Sequence, residues 1–308
     1  MRNRWLNQIA GPNWIVLIDF FVHFRLKFQL LVAPAAFLLG VLLGGHPHSW
    51  IYVLLHFLNV HIILFGTATA FNSYYDKDEI ALEGLEYPPH MSLWMLPAAL
   101  VLQGIGLTIA LASGTKIASV YSLGMIVSFL YSHPSIRLKG SPLWGMISLG
   151  LFGGIVPFFI GLLAAGMPKD NLSFIISGVL GISLLVIATF PLAQAHQIDE
   201  DRRKGDNTFS AVYGIKGVKM IFATAEPLGV ILLGYSLSSF SFLCAVIGTA
   251  LGLLGGGFLW VSHVRNMKGG VDEYRKTMRL KTYSGLGLNL FLLASILLKI
   301  IYSARLYE

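Results

Sequence analysis

Runs of about 20 apolar residues, separated by short polar stretches, recur from near residue 26 to near residue 303. A helix rises about 1.5 Å per residue, so each run is long enough to cross the ~30 Å hydrocarbon layer of a bilayer. The runs lie at about 26–44, 50–71, 91–112, 117–132, 144–165, 172–194, 217–236, 239–263 and 282–303. A chain in lipid must satisfy its backbone internally, and the pattern predicts an all-α polytopic membrane protein of about nine transmembrane helices. Such a bundle is one unit, so residues 1–308 are read as a single membrane-embedded domain. Ahead of the first run, Trp5, Trp14, Phe20 and Phe21 interleave with Arg4, Asp19 and Arg25. That mixture suits a helix lying at the membrane surface over 1–25, with the bundle proper spanning 26–303.

The polar stretches alternate in charge. Placing the N-terminus and the loops after the second, fourth, sixth and eighth runs on one side collects 18 of the 22 Lys and Arg residues there. By the positive-inside rule that side is the cytoplasm, and the C-terminus lies opposite. The loops after runs two and six are acidic. Those after runs four and eight are basic, with Arg137 and Lys139 in one and Arg275, Lys276, Arg279 and Lys281 in the other. A period of four helices, repeated once, predicts two four-helix halves plus a ninth helix, with all charged loops at one cytoplasmic mouth.

Composition agrees with lipid as the solvent: 55% of residues are hydrophobic and the mean hydropathy is +0.70. The net charge of +7 then reports topology and attraction to anionic lipid head groups, and gives no ground for nucleic-acid binding. The single cysteine, Cys244, lies in an apolar run and offers neither a disulfide frame nor a thiolate metal site. No cleavable signal or transit peptide is recognisable at the N-terminus, which favours a bacterial cytoplasmic membrane and a chain retained whole. Neither a soluble-type phosphate loop nor a dinucleotide fingerprint is present.

Charged residues make up only 12% of the chain, yet they concentrate in two stretches. Residues 194–208 hold Asp199, Glu200, Asp201 and Asp206 beside Arg202, Arg203 and Lys204, and residues 72–86 hold Asn72, Asp76, Asp78 and Glu79. Both lie where an apolar run ends on the same side, which suggests one shared site. Mg²⁺ takes oxygen ligands and is commonly held by one or two carboxylates together with substrate phosphates. Lys and Arg complete the neutralisation of phosphate oxygens, and an apolar bundle beneath suits a lipid tail. A polyisoprenyl diphosphate meets all three conditions.

The pairing of Asn72-x-x-x-Asp76-x-Asp78 with Asp199-Glu200-Asp201-Arg202-x-x-Gly205-x-x-Thr208, with Tyr131-Ser132-x-Pro134-x-x-Arg137-x-Lys139 between them, resembles the UbiA superfamily of intramembrane prenyltransferases. The resemblance runs through nearly the whole chain. It implies a nine-helix bundle and Mg²⁺ held by two acidic motifs. It also implies transfer of a prenyl group from its diphosphate to an acceptor. Carried onto this sequence, it makes Asn72, Asp76, Asp78, Asp199 and Asp201 the metal ligands and assigns Arg137, Lys139 and Arg202 to the diphosphate. Tyr74, Tyr75, Tyr131 and Ser132 would then lie about the prenyl group. An aromatic, quinone-precursor-like acceptor is expected, with a non-aromatic lipid or polyene as the alternative.

The sequence departs from the family pattern at three positions. Ser73 and Ile80 replace residues that are usually aspartate in the first motif, and Gln197 stands where the second would begin. On a helix Asn72, Asp76 and Glu79 share a face, whereas Asp78 lies about 200° from Asp76. Either Glu79 substitutes for the lost acid or the helix unwinds and Asp78 turns inward. In the second motif Asp199 and Asp201 form the acid pair, with Asp206 in reserve. These losses are also what a non-catalytic polyisoprenoid-binding protein would display. For Asn59, His56 and His61, inside the second run, hydrogen bonding between helices is the expected use, and the paired glycines are expected to serve close packing.

Overall fold

A computed structural model of the chain describes residues 14–77, 80–168 and 172–305. Among these residues the regular structure is helical, apart from an isolated bridge between Leu82 and Leu85. The chain opens with three short helices, α1 (Trp14–Val22), α2 (Leu26–Leu31) and α3 (Ala35–Leu43). Arg25, at φ 51°, separates α1 from α2, Pro34 starts α3, and the α1–α2 arm meets α3 at a bend of 47°. Trp14, Ile15 and Ile18 face outward while Val16 and Phe20 are buried. The surface segment expected over 1–25 lies outside the described residues up to residue 13.

Longer helices follow: α4 (Trp50–Asp76), α5 (Met95–Ala112), α6 (Thr115–Ser132), α7 (Pro142–Ala164) and α8 (Leu172–Gln194). The short α9 (Ile198–Lys204) precedes α10 (Phe209–Leu237), α11 (Phe242–Ser262) and α12 (Tyr274–Arg305). Each predicted run thus has its helix. Among the described residues seven helices are long and apolar enough to span a bilayer, and the bent α1–α3 arm would make eight. The odd one is α6, where four serines, Thr115 and Lys116 dilute the apolar content.

Hydropathy cannot say which apolar residues face lipid and which pack, because lipid tails are as apolar as leucine. Small residues decide it here. A Cβ on Gly40 of α3 would sit 2.0 Å from the Phe158 carbonyl oxygen of α7, and one on Gly161 would sit 2.2 Å from the Phe37 carbonyl oxygen. The two backbones therefore touch. Gly154 likewise faces Ser183 of α8 at 2.3 Å, whereas Gly255 and Gly257 meet open space. Gly161→Val should lower the detergent-solubilised melting temperature, at a cost of about 1–3 kcal/mol. An unchanged melt would refute the close α3–α7 approach.

Polar side chains tie the bundle together. Asn59 sits where the helical turn of α4 widens over Asn59–Leu64, and its Nδ2 donates to the Gly106 carbonyl of α5 at 2.9 Å. That is the interhelical use expected for it. His61 bonds within its own helix, to the Phe57 carbonyl at 2.9 Å. At the opposite end from the acidic loops, Lys299 of α12 donates to the carbonyls of Leu42, Gly44 and Gly45, 2.5–3.0 Å away. It thereby caps the last turn of α3, where carbonyls lack helical partners.

Candidate active site

Three helix ends converge on one polar mouth. The first is the end of α4. Asn72 and Asp76 are one turn apart and point the same way, and Lys77 stops the helix in a left-handed conformation at φ 50°. Asp76 is buried, and it is paired with Arg137 at 3.2 Å and with Lys139. Asn72 Oδ1 accepts from Ser132 Oγ at 2.9 Å, which fixes the amide against α6. Asp78 and Glu79 lie outside the described residues.

The second element is the turn between α6 and α7. After Pro134 the chain folds back, Arg137 N donates to the His133 carbonyl, and Arg137 adopts φ 46°. Few residues other than glycine hold that conformation, and each such case costs about 1–3 kcal/mol. Here it brings Arg137 and Lys139 to the same carboxylate. Arg137 also forks onto Asp206, with Nε to Oδ1 and Nη2 to Oδ2 both at 2.6 Å. Hydrogen bonding to the Asp206 carboxylate, foremost, raises the Arg137 pKa, so the guanidinium stays charged. Burial would push the Asp206 carboxyl up, but its hydrogen bonds from Arg137 and the charges of Lys139, Arg137 and Lys204 together hold it below the ordinary value of 3.8. The clamp is therefore intact at neutral pH and is lost only as pH falls through that lowered value.

The third element is the α8–α9 junction. A tight turn over Ala195–Gln197 shifts the helical phase, and Gln194, Gln197 and Asp201 line the mouth together. Gly205, at φ 78°, then ends α9 and turns Asp206 back toward Arg137. Thr208 caps α10 by accepting from Ala211 N, and its hydroxyl donates to Asp201 Oδ2 at 2.8 Å. The Asp201-x-x-x-Gly205-x-x-Thr208 spacing is thus a self-bracing turn.

Asp199, Arg202 and Tyr75, all expected at the site, do not line the mouth. Asp199 is exposed on the far side of α9, because residues two apart on a helix point in opposed directions. Arg202 is exposed too, and its Nε donates to the Ala211 carbonyl at 2.9 Å. Asp206 serves Arg137 instead of standing in reserve beside Asp201. Tyr131 and Ser132 line the mouth. Tyr75 packs edge-on against Phe71, Tyr74 and His133, away from the cavity wall.

The loop after α4 closes one side of the mouth. His196 and Gln197 donate to the Ala81 carbonyl at 2.7 and 3.3 Å, Tyr274 to Leu82 at 2.7 Å, and Arg25 to Glu83 at 2.9 Å. Glu83 is thereby held against Lys281. Sequence reasoning missed this half-buried pair, since Glu83 lies in the loop after α4 and Lys281 in the first turns of α12, and no spacing links them. The polar mouth, about 150 Å³, shares Thr69, Glu83, Leu149, Phe152 and Phe190 with an apolar cavity of about 600 Å³ between α2, α3, α4, α7, α8, α10, α11 and α12. A charged rim therefore opens directly onto an apolar hold of the size usual for ligand sites.

Residues 91–282, more than half of the chain, match the UbiA prenyltransferase family. The chain belongs to that family. Its fold is similar to that of a UbiA homologue from Archaeoglobus fulgidus bound to GPP and Mg²⁺, with 16% identity, 88% of this chain and 99% of that chain covered, and a TM-score of 0.67. It is also similar to an apo UbiA homologue from Aeropyrum pernix K1 (19% identity, 91% and 98% covered, TM-score 0.65). A third similar structure is digeranylgeranylglyceryl phosphate synthase (18% identity, 92% and 99% covered, TM-score 0.60). At these identities the likeness is one of fold. No curated protein sequence matches the chain. As a UbiA family member with these helices, it is an integral, multi-pass membrane protein.

Proposed function

We propose that this protein transfers a prenyl group from a prenyl diphosphate to a hydrophobic, aromatic acceptor at a mouth facing the cytoplasm, and that 1–308 act as one domain. One observation carries the reading. Asp76 and Asp201, from two helix ends, share a mouth with Lys139, beside an apolar cavity, and Arg137 reaches the same Asp76 carboxylate. The A. fulgidus homologue's GPP and Mg²⁺ support the same donor and metal for this chain.

The residues present fit Mg²⁺. The mouth's donors are all oxygen: the carboxylates of Asp76 and Asp201 and the amide of Asn72, with Gln194 and Gln197 beside them. Among the described residues no three or more His, Cys, Asp or Glu side chains come together as a metal-holding group, so two carboxylates would leave most of an ion's shell to other oxygens. Such an open set suits an ion that keeps water and substrate phosphates in its shell. When bound, the ion neutralises diphosphate charge and so eases departure of the leaving group.

The chain's own residues do the rest. Arg137, anchored by Asp206, and Lys139 turn from Asp76 to the diphosphate oxygens, which frees the Asp76 carboxylate for the metal. The allylic carbon–oxygen bond breaks and its electron pair leaves with diphosphate. Tyr131, Phe152 and Phe190, which line the mouth, present aromatic faces to the allylic cation and keep water from it. An electron pair of the acceptor then forms the new bond to carbon, and the acceptor gives up a proton.

The test is release of inorganic diphosphate from geranyl, farnesyl and geranylgeranyl diphosphates, with and without Mg²⁺, across a panel of phenols, aromatic acids and lipid alcohols. Mg²⁺-dependent release that rises with one acceptor class is expected. Binding of the diphosphates without release from any pair would favour a non-catalytic carrier. Restoring the missing acid is a second check. Gln197→Asp should lower the Mg²⁺ concentration for half-maximal turnover by about tenfold, because ligand charge sets affinity at such sites. An unchanged Mg²⁺ titration would mean that Gln197 lies outside the metal's reach.

A further inference from the structure

The apolar cavity holds one ionisable group that the donor chemistry leaves unused. Glu83, Glu226, His263 and Lys281 are the ionisable side chains in its wall. Lys281 is paired with Glu83, and His263 Nε2 lies 2.7 Å from Thr277 Oγ1. Glu226 alone has no hydrogen-bond or ion-pair partner among the described residues. It sits deep in α10, immediately before Pro227.

The packing makes room for this carboxyl. A Cβ on Gly256 of α11 would fall 2.1 Å from Glu226 Oε1, and the neighbouring Gly255 meets nothing within 4 Å. Any larger residue at 256 would displace the carboxyl, and the glycine at 255 leaves open space beside it. An intramembrane carboxyl is costly in either form. Ionised it lacks a counter-charge, and neutral its O–H lacks an acceptor. A ligand that brings a hydrogen-bond donor relieves that cost. A second carboxylate placed here would meet like charge without a cation, since Lys281 is already committed to Glu83.

We infer that Glu226 marks the head-group subsite of the acceptor, and that the acceptor is a neutral molecule presenting a hydroxyl, not a carboxylic acid. The term acceptor rests on the prenyl-transfer reading above; the subsite itself rests on the cavity and its unpartnered carboxyl. The hydroxyl donates its proton's hydrogen bond to a Glu226 oxygen while the hydrocarbon part lies along the glycine-lined wall of α11.

The experiment measures equilibrium binding of matched probes to the full chain in nanodiscs: 4-propylphenol against 4-propylbenzoic acid, and hexadecanol against hexadecanoic acid. The wild type should bind the hydroxyl member of at least one pair about tenfold or more tightly than the acid, the scale of one hydrogen bond to a charged group. The pair with the larger preference identifies the source as aromatic or lipid. Glu226→Gln, which keeps the size and removes the charge, should narrow the preference to about threefold or less, and Gly256→Ala should do the same by displacing the carboxyl. Equal binding of alcohol and acid by the wild type, or an unaltered preference in both variants, overturns the inference. Transfer from farnesyl diphosphate with Mg²⁺ is followed in the same preparations. Glu226-dependent hydroxyl binding without any transfer would sink the transferase reading and leave the subsite standing. Transfer onto acids as readily as onto alcohols would do the reverse.

Discussion

Asp76→Asn and Asp201→Asn should each lower kcat for prenyl transfer by about 10²–10³-fold, the scale of one preorganised electrostatic contact at the reacting charge. Asparagine keeps the shape of the side chain and removes only the charge, so helical content should not change. Asp76 is buried between Arg137 and Lys139, and a purely structural salt-bridge role would therefore register in the melting temperature. A metal role registers elsewhere: half-saturating Mg²⁺ should rise in both variants. The two acids sit on different helix ends, so a common effect on the Mg²⁺ titration points to a shared ion. Full turnover in either variant removes that acid from the metal site.

The Arg137–Asp206 clamp should respond in a different way. Arg137→Ala is expected to cut kcat/KM for the donor by about 10²-fold, since it removes a charge-assisted contact to the leaving group. Arg137→Lys should rescue little, because a lysine cannot reproduce the two-pronged contact with Asp206. Asp206 is a positioning residue. Asp206→Asn should lower the rate less than Arg137→Ala, and the double variant should be no worse than Arg137→Ala alone, as expected when one residue acts only through the other. Additive losses would mean that Asp206 has a role of its own.

The helices and the location of the site were legible because apolar length and loop charge are direct consequences of the bilayer. Nine runs matched nine helical positions, although α6 is too rich in serine to pass as a span on apolarity alone. The structure gathers Asn72, Asp76, Asp201, Arg137 and Lys139, which the resemblance singled out, by means that leave a local trace in the sequence: one helical turn, a Pro-initiated reversal, and a glycine-terminated short helix. Asp199 turns away from the mouth for a physical reason. The tight turn over Ala195–Gln197 resets the helical phase, and the face that follows carries Gln197 and Asp201, which are four apart, with Asp199 on the back. Arg202, which the resemblance assigned to the diphosphate, follows Asp201 by one step, and one step along a helix turns the side chain by about 100°. The Glu83–Lys281 pair and the lone Glu226 follow from how α10, α11 and α12 pack. In lipid that packing leaves no hydropathy signature, because packed and lipid-facing positions are equally apolar.

The central claim is that two acidic helix ends jointly hold a metal–diphosphate complex over an apolar cavity. Its most direct test is the affinity of farnesyl thiodiphosphate, a donor analogue that resists cleavage, for the wild type, Asp76→Asn and Asp201→Asn, each titrated with and without Mg²⁺. The account predicts that Mg²⁺ tightens binding by the wild type at least about tenfold and that either substitution abolishes most of that gain, since both carboxylates serve one ion. Binding by the wild type that is indifferent to Mg²⁺, or a Mg²⁺ effect that survives in both variants, would contradict it.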